Sequence, residues 1–198
     1  LVPVLIAAGL AACAGPPQVE DRTSYLDHMP HSILVLPPLE ETPVAEAPYL
    51  WLGSITRPLV EKGYYVFPVA LVDAILKENG LPTPGELHQV SLQKFWEVFG
   101  ADAVLYVTLK EWGTSYMVVS SQTTVSIQAR LVDVRTGVEI WRGERTAVQD
   151  SSSGQSSIAG MLVGALVAQV SSEAADPTPA LARRANWELF HEEPQGLL

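Results

Sequence analysis

The chain has 198 residues, enough for one domain with a full core and short tails. Hydrophobic residues make up 47% of it, the usual share for a globular protein, so most of the chain is expected to fold. Twelve Lys and Arg stand against 22 Asp and Glu, and the formal net charge of −10 argues against a nucleic-acid partner. An anionic membrane surface would also repel this domain, so membrane attachment requires apolar insertion or a covalent lipid.

The chain opens with an apolar run that ends in its only cysteine. The run is shorter than the roughly 20 residues of a membrane-spanning helix and is typical of a signal-peptide core. No Met, Lys or Arg precedes it, so we expect residues 1–12 to be an incomplete signal peptide. Its last residues resemble the bacterial lipobox, in which small residues precede a cysteine that receives the lipid. These residues are Leu10, Ala11, Ala12 and Cys13.

A single cysteine also favours lipidation, because one thiol cannot form an internal disulfide and a free exposed thiol is a liability in an oxidising compartment. The alternative is a buried core cysteine, which is common for free thiols. The apolar leader before Cys13 and the prolines Pro16 and Pro17 after it favour the lipid. Because Ala14 follows the cysteine where Asp would signal inner-membrane retention, we expect a domain anchored to the outer membrane and facing the periplasm.

Residues 13–31 are predicted to be the lipidated cysteine and a flexible tether. They carry several prolines and charges and no apolar period, which is typical of extended chain. His28 and His31 lie near the end of this segment. They are interpreted as solvated side chains, because no Cys, Asp or Glu cluster completes a metal site. We expect no metal and no other cofactor.

Five segments carry the strand patterns. Continuous apolar residues at 33–36 indicate a strand buried on both faces, and 64–67 and 103–109 indicate two more. Apolar and polar residues alternate over 125–131, which predicts a strand with one wet face. A turn at 133–137, with Asp first and Gly last, should pair it antiparallel with the next strand. The sequence thus predicts a mixed sheet of about five strands.

Helical patterns lie between these strands, so that 32–150 is predicted to be a single α/β domain with helices packed on its sheet. Apolar residues at helical spacing predict a helix over 48–62 and another around 71–76. A capping box at Thr83 starts a short helix, and Ser91 is expected to cap the next one. An apolar stripe on that helix is assigned to the core. It consists of Leu92, Phe95, Trp96 and Phe99.

The C-terminal part of the chain is predicted to be a Ser-rich linker at 151–157 and a helical region at 158–198. Gly160, Gly164 and Ala168 recur every four residues and would form a smooth stripe on a helix. The apolar run around them is too short to span a bilayer. The stripe packs either on the domain's own sheet or against a partner. We expect it to dock a partner, with a homodimer favoured.

Motifs of catalysis are missing from the sequence. The serine at 115 lacks the Gly-x-Ser-x-Gly context of an activated nucleophile, and no Gly-rich phosphate loop is present. The histidines do not form a ligand set, and adjacent carboxylates lie in polar segments where a solvated role is usual. We therefore expect no enzyme, although an active site built from distant residues leaves no such signature. The histidines are His28, His31, His88 and His191.

Five motifs in combination resemble a family of outer-membrane lipoproteins of unknown function that includes a neisserial surface antigen. The resemblance runs from the lipobox to near the end of the chain, and the family's fold is similar to the amino-terminal domain of the Tol-system periplasmic protein. It implies an accessory of envelope assembly or transport that works by binding, and it transfers no catalytic residue. The motifs lie at 30–38, 63–73, 99–103, 113–116 and 131–137.

Two function classes besides binding are kept open. The leading hypothesis is a periplasm-facing scaffold that binds itself and other envelope proteins. The alternative is a subunit of a curli-channel-like secretion pore, for which only residues 116–131 offer a candidate membrane-crossing hairpin. A third is an enzyme with an unrecognised site, which a deep pocket with convergent polar groups would reveal.

The glycine stripe generates a test of self-association. Gly164→Leu should weaken the oligomer of the lipid-free chain, because the leucine forces the two helix backbones apart. Sedimentation of both proteins at matched concentrations measures this. A wild-type monomer, or a variant that associates as strongly as the wild type, would assign the stripe to internal packing.

Overall fold

The computed structural model describes residues 23–116, 121–150, 176–192 and 196–197. In these ranges a six-stranded sheet carries helices on both faces. The elements in chain order are α1 (Thr23–Asp27), β1 (Ser32–Val35), β2 (Leu39–Glu40), α2 (Ala47–Glu61), β3 (Tyr65–Val66), α3 (Val69–Glu78), α4 (Pro84–Leu87), α5 (Leu92–Phe99), β4 (Ala103–Tyr116), β5 (Ser121–Asp133), β6 (Glu139–Asp150) and α6 (Thr178–His191).

The sheet is mixed, which confirms the predicted α/β class. Its strand order is β3-β1-β4-β5-β6, and β2 pairs with β4 further along that strand. β1 is parallel to both β3 and β4, whereas β4, β5 and β6 form an antiparallel meander. The predicted buried strand is confirmed, because Ile33, Leu34 and Val35 are at most 1% exposed. The two-residue strand β2 was not predicted.

One face of the sheet, here called face one, is covered by α2 and α6. The predicted helix at 48–62 is confirmed, and Leu52, Ile55 and Leu59 are buried in the core. The sequence predicts a kink or restart at Pro58, but the helix continues through it to Glu61. The proline ring is itself buried, so tertiary packing holds the helix together despite the amide that proline lacks.

The opposite face, face two, is covered by α3, α4 and α5. The capping box at Thr83 is formed, with its side chain bonded to the amide of Glu86 and the Glu86 carboxylate returning to Thr83. Ser91 occupies the cap position of α5 but makes no side-chain cap bond. Phe95 is buried as predicted. Trp96 is not a core residue, because it is exposed and Arg135 stacks on its ring instead.

The predicted tether is shorter than 13–31, because α1 and the residues after it belong to the folded domain. Tyr25 is buried in the core of face one, and its hydroxyl is hydrogen-bonded to that of Tyr64. Burial raises the pKa of the Tyr25 hydroxyl, so the pair stays neutral at physiological pH. Five helical residues are too few to show a helical period, so no local sequence pattern predicts α1.

The starts of β1 and β4 are tied together by one carboxylate. Asp102 accepts hydrogen bonds of 3.0 Å from the amides of His31 and Ser32 and from the Ser32 hydroxyl. Arg135 lies 3.5 Å from its other oxygen. Partial burial alone would raise the pKa of Asp102, but these hydrogen bonds and the Arg135 charge hold it below its usual value.

The turn between β5 and β6 has the predicted chemistry. One carboxylate oxygen of Asp133 accepts from the Thr136 amide at 2.7 Å and from the Arg135 amide at 3.1 Å. Gly137 has a φ of 74°, the left-handed conformation that the sequence predicts for this position. The antiparallel pairing of β5 and β6 follows from this turn.

The Asp102 junction generates a stability prediction. Asp102→Asn should lower the free energy of unfolding by about 1 to 3 kcal/mol at pH 7, because the lost charge weakens several charge-assisted hydrogen bonds. The carboxylate has a lowered pKa in the folded state, so its contribution is present above the pKa of the unfolded chain and is lost as the pH falls.

Denaturant unfolding between pH 3 and pH 7 measures the difference. The two proteins should converge in stability at the acid end. Glu61→Gln is the matched control, because it removes an exposed ion pair with Arg57 and should change stability little at any pH. A constant difference between wild type and Asp102→Asn across this range would contradict the assigned role of the carboxylate.

Candidate functional site

Beyond its pairing with β1 and β2, β4 continues with β5 and β6 to a hairpin end, defined here as residues 111–116 and 121–124. A bulge between Leu109 and Glu111 shifts the register of β4 against β5. After the extra residue, Trp112 lies on face one and is buried there, as Leu109 is before it. A bulge of this kind re-aims the side chains that follow it.

A cleft of about 660 Å³ lies on face one between the hairpin end and the starts of α2 and α6. We call it the end cleft. Both helices begin beside it, so their first residues form one wall and the hairpin end forms the other. It is lined by Val44, Glu46, Leu50, Trp112, Gly113, Thr114, Tyr116, Ser121, Thr123, Asp176, Pro177 and Thr178.

The hydroxyl and carboxylate groups at the base of the cleft are engaged in structural hydrogen bonds. Thr114 and Thr123 share one of 2.8 Å across the hairpin. Asp176 accepts from the Thr178 amide at 3.0 Å and from its hydroxyl at 2.6 Å, and so holds the first turn of α6. These groups fix the shape of the cleft.

The lining combines exposed apolar groups with negative charge. Tyr116 is 84% exposed and Leu50 is 42% exposed. Among the described lining residues, those whose side chains carry a formal charge at pH 7 are Glu46 and Asp176, and both are acidic. Aromatic and aliphatic anchors beside a complementary charge are typical of protein interfaces. The end cleft is therefore suited to a polypeptide segment that carries apolar and basic side chains.

A second groove, of about 470 Å³, lies on the other side of β4 and shares Val44, Trp112, Gly113 and Thr114 with the end cleft. An ion pair of 2.7 Å between Lys110 and Glu41 closes one side of it. The Thr42 hydroxyl donates to the carbonyl oxygen of Trp112 at 3.4 Å. The chain after β2 is thus bonded to β4, and both grooves meet at the hairpin end.

His88 lies half-buried in a smaller cleft on face two. Its Nε2 donates to the carbonyl oxygen of Pro37 at 3.0 Å, and its ring meets the edge of Tyr106. Burial is the largest effect on the pKa of His88 and lowers it. The Pro37 bond acts in the opposite direction, and the charge of Arg130 lowers the pKa further. His88 is therefore neutral at pH 7 and serves as a structural bridge from α4 to β1.

The residues that the sequence predicts as functional lie outside the described residues. This holds for the lipobox and lipidation site, for the Ser-rich linker at 151–157 and for the glycine stripe. α6 falls inside the predicted C-terminal helical region. His28 and His31 are described, and His28 bonds the carbonyl oxygen of Ser24. In the described ranges, no group of three or more His, Cys, Asp or Glu side chains is placed to share a metal ion.

The end cleft was not predicted from the sequence. Its members come from three separated parts of the chain. Residues 113–116 are singled out for their resemblance and 116–131 as a candidate membrane-crossing hairpin, but neither pattern links these residues to the starts of α2 and α6. Gly113 has a φ of 126°, a conformation that other residues rarely adopt. An isolated glycine in a strand is the sequence signal that could have indicated the bulged hairpin end.

The sheet, its two helical layers and the end cleft place the chain among small α/β domains with an open mixed sheet. A family model described as "Putative lipoprotein GNA1162-like" matches residues 20–198. The chain belongs to this family. It is 43% identical over 170 residues to the protein named "Putative lipoprotein NMB1124/NMB1162" of Neisseria meningitidis serogroup B, a match that covers 86% of this chain and 79% of that protein.

One solved structure supports this assignment. The crystal structure of lipoprotein GNA1162 from Neisseria meningitidis is 46% identical, with a TM-score of 0.60 over 73% of this chain and 100% of that one. The PelC dodecamer from Paraburkholderia phytofirmans is 14% identical, with a TM-score of 0.49 over 80% and 84% of the two chains. The recognition of the lipoprotein family and of the α/β fold from sequence is therefore confirmed.

No helix in the described part of the chain combines the length and the hydrophobicity of a membrane-crossing segment.

Proposed function

We propose that this chain is a lipid-anchored envelope protein that binds other proteins through the end cleft, without catalysing a reaction. The observation that carries the proposal is the end cleft itself, with its exposed apolar side chains and its acidic rim at one end of the domain. The membership of a lipoprotein family supports the anchor.

The anchor is assigned to Cys13, with Leu10, Ala11 and Ala12 as the lipobox that precedes it. Ala14 favours the outer membrane, and we place the domain on the periplasmic side as part of the proposal. The tether is ten residues from Cys13 to the last residue before α1, so its full extension is at most about 35 Å. The domain would therefore work close to the membrane surface.

A binding role is supported by how the cleft uses its polar groups. Thr114 is hydrogen-bonded to Thr123, and Asp176 is hydrogen-bonded to Thr178. These bonds preorganise the surface of the cleft. The parts left exposed are the Tyr116 ring, the Leu50 side chain and the Glu46 carboxylate. Preorganised surfaces with exposed aromatic anchors lower the ordering cost of association.

The structure also bears on the pore alternative. The stretch 116–131 lies largely in β5, which pairs with β4 on one side and β6 on the other. Its apolar side chains at Val125, Ile127 and Ala129 are buried in the core of face one. These side chains stabilise the domain from within its core, whereas the apolar side chains of a pore strand face lipid. Their burial therefore supports a binding protein over a pore subunit.

The anchor generates a fractionation prediction. Cys13→Ser, in a chain supplied with a complete signal peptide, should abolish incorporation of labelled fatty acid and release the protein into the soluble periplasmic fraction, because its net charge gives it no electrostatic attraction to a membrane that could replace the lipid. Ala14→Asp is the matched control. It should keep the lipid label and move the protein to the inner membrane. A Cys13→Ser protein that still fractionates with membranes would contradict the assigned anchor.

The cleft generates a crosslinking prediction. A photoreactive phenylalanine analogue at Leu50 should give discrete protein adducts in intact cells, because Leu50 lies in the cleft wall at the start of α2. Val60 is the matched control, since it is on the same helix, comparably exposed and at the other end. Equal adducts at both positions, or none at Leu50 in protein that is lipidated and folded, would refute the cleft as the binding site.

A further inference from the structure

Two large apolar side chains are exposed on α1 and just after it, at the end of the domain opposite the end cleft. Leu26 on α1 is 59% exposed and Met29, just after this helix, is 57% exposed. We call these two residues the α1 patch. Single exposed apolar residues are common on protein surfaces, so their position decides how they are interpreted.

The α1 patch is held in place by the core beneath it. Tyr25 is 3% exposed and bonded to Tyr64, which precedes β3. With Tyr25 pointing into the domain, its neighbour Leu26 is left on the outside. The patch is therefore a fixed part of the surface at the point where the tether joins the fold.

The geometry of the tether and the sheet sets which end of the domain is near the membrane. β4 begins beside Ser32, at the end where α1 docks, and its 14 residues span roughly 45 Å to Tyr116 at the hairpin end. The ten-residue tether reaches at most about 35 Å from Cys13 to Thr23. The chain cannot stand upright with its hairpin end on the bilayer, because the tether is too short.

The charges around the patch are mixed and give no net attraction to anionic lipid, because Lys62 follows Glu61 at the end of α2 and Glu61 is paired with Arg57. Asp27 lies between the two apolar residues, and Glu61 ends α2 nearby, where Tyr64 meets Tyr25. His28 and His31 flank Met29 without adding a fixed positive charge. Contact with a bilayer would therefore come from apolar insertion into the interfacial region.

We infer that the α1 patch rests in the interfacial region of the bilayer that holds the lipid anchor, with Leu26 and Met29 inserted and the end cleft directed away from the membrane. The occupant of the patch is the lipid surface itself. The inference rests on the proposed lipidation of Cys13, and it adds an orientation that the anchor alone does not impose, because a lipid on one residue does not set the direction in which the domain faces.

Fluorescence quenching in reconstituted vesicles tests the inference. The lipid consumes the thiol of Cys13, so Met29→Cys offers a single labelling site for an environment-sensitive fluorophore in the lipidated full chain. The vesicles contain phosphatidylcholine and phosphatidylethanolamine with a shallow doxyl-labelled lipid. Quenching at position 29 should be several-fold stronger than at Tyr116→Cys, and high salt should leave it unchanged.

The outcomes separate this inference from the proposed function. Protein that is not lipidated and does not float with the vesicles refutes the anchor and the inference together. Lipidated protein that floats but shows equal quenching at positions 29 and 116 refutes the orientation alone. A blue-shifted label at position 29 without doxyl quenching would assign the patch to a second copy of the chain and would also overturn it.

A second pair of variants guards against an effect of the label. In the Met29→Cys background, Leu26→Glu should reduce the quenching toward the level at position 116, because a carboxylate opposes insertion. Leu71→Glu should leave the quenching unchanged, since Leu71 is comparably exposed but lies on α3 of face two. Identical quenching in the Leu26→Glu and Leu71→Glu proteins, both folded by circular dichroism, would contradict the inserted patch.

Discussion

One buried polar contact joins the two helices on which face one depends. The indole nitrogen of Trp51 on α2 donates to the Asn186 side-chain oxygen on α6 at 2.9 Å, and the Asn186 amide donates to the Ser54 hydroxyl at 2.8 Å. Asn186 is fully buried, so an unmatched amide there would cost the full desolvation penalty. α6 is therefore held in one register on α2, although 135 residues separate the two partners. The wall of the end cleft at Asp176 and Thr178 is positioned by this contact.

The same helix is held against the sheet by close packing. Gly143 on β6 has no room for a side chain, because an added Cβ would lie 2.6 Å from the Trp141 ring and 2.9 Å from Leu189 of α6. At the rim, Arg145 of β6 pairs with Glu188 at 2.9 Å. Partial burial opposes ionisation, but the arginine partners hold the pKa of Glu188 below its usual value. The last strand and the last helix thus form one unit, which holds α6, whose first residues line the end cleft, against the sheet.

The sequence predicted the parts of this fold that depend on local patterns. The strand at 33–36 and the turn at 133–137 carry their signals in adjacent residues, and both were found. α1 was missed because a five-residue helix stabilised by one buried tyrosine has no period. Trp96 was wrongly assigned to the core. Helical spacing identifies the apolar face of α5 but does not show which residues of that face are buried against the sheet. The end cleft depends on contacts between residues far apart in the chain, which no local pattern contains.

The acidic residues at the rim of the end cleft also interact with helix amino termini, and this limits their contribution to the affinity for a partner. α2 and α6 both begin at the cleft, so the partial positive charges of two helix amino termini lie beside it. The carboxylates of Glu46 and Asp176 offset those charges, and Asp176 does so through a direct bond to the first amide of α6. Much of the negative charge is thereby neutralised within the fold. The affinity for a partner should then come mainly from the exposed Tyr116 and Leu50. The residual negative charge should disfavour acidic partners more than neutral ones.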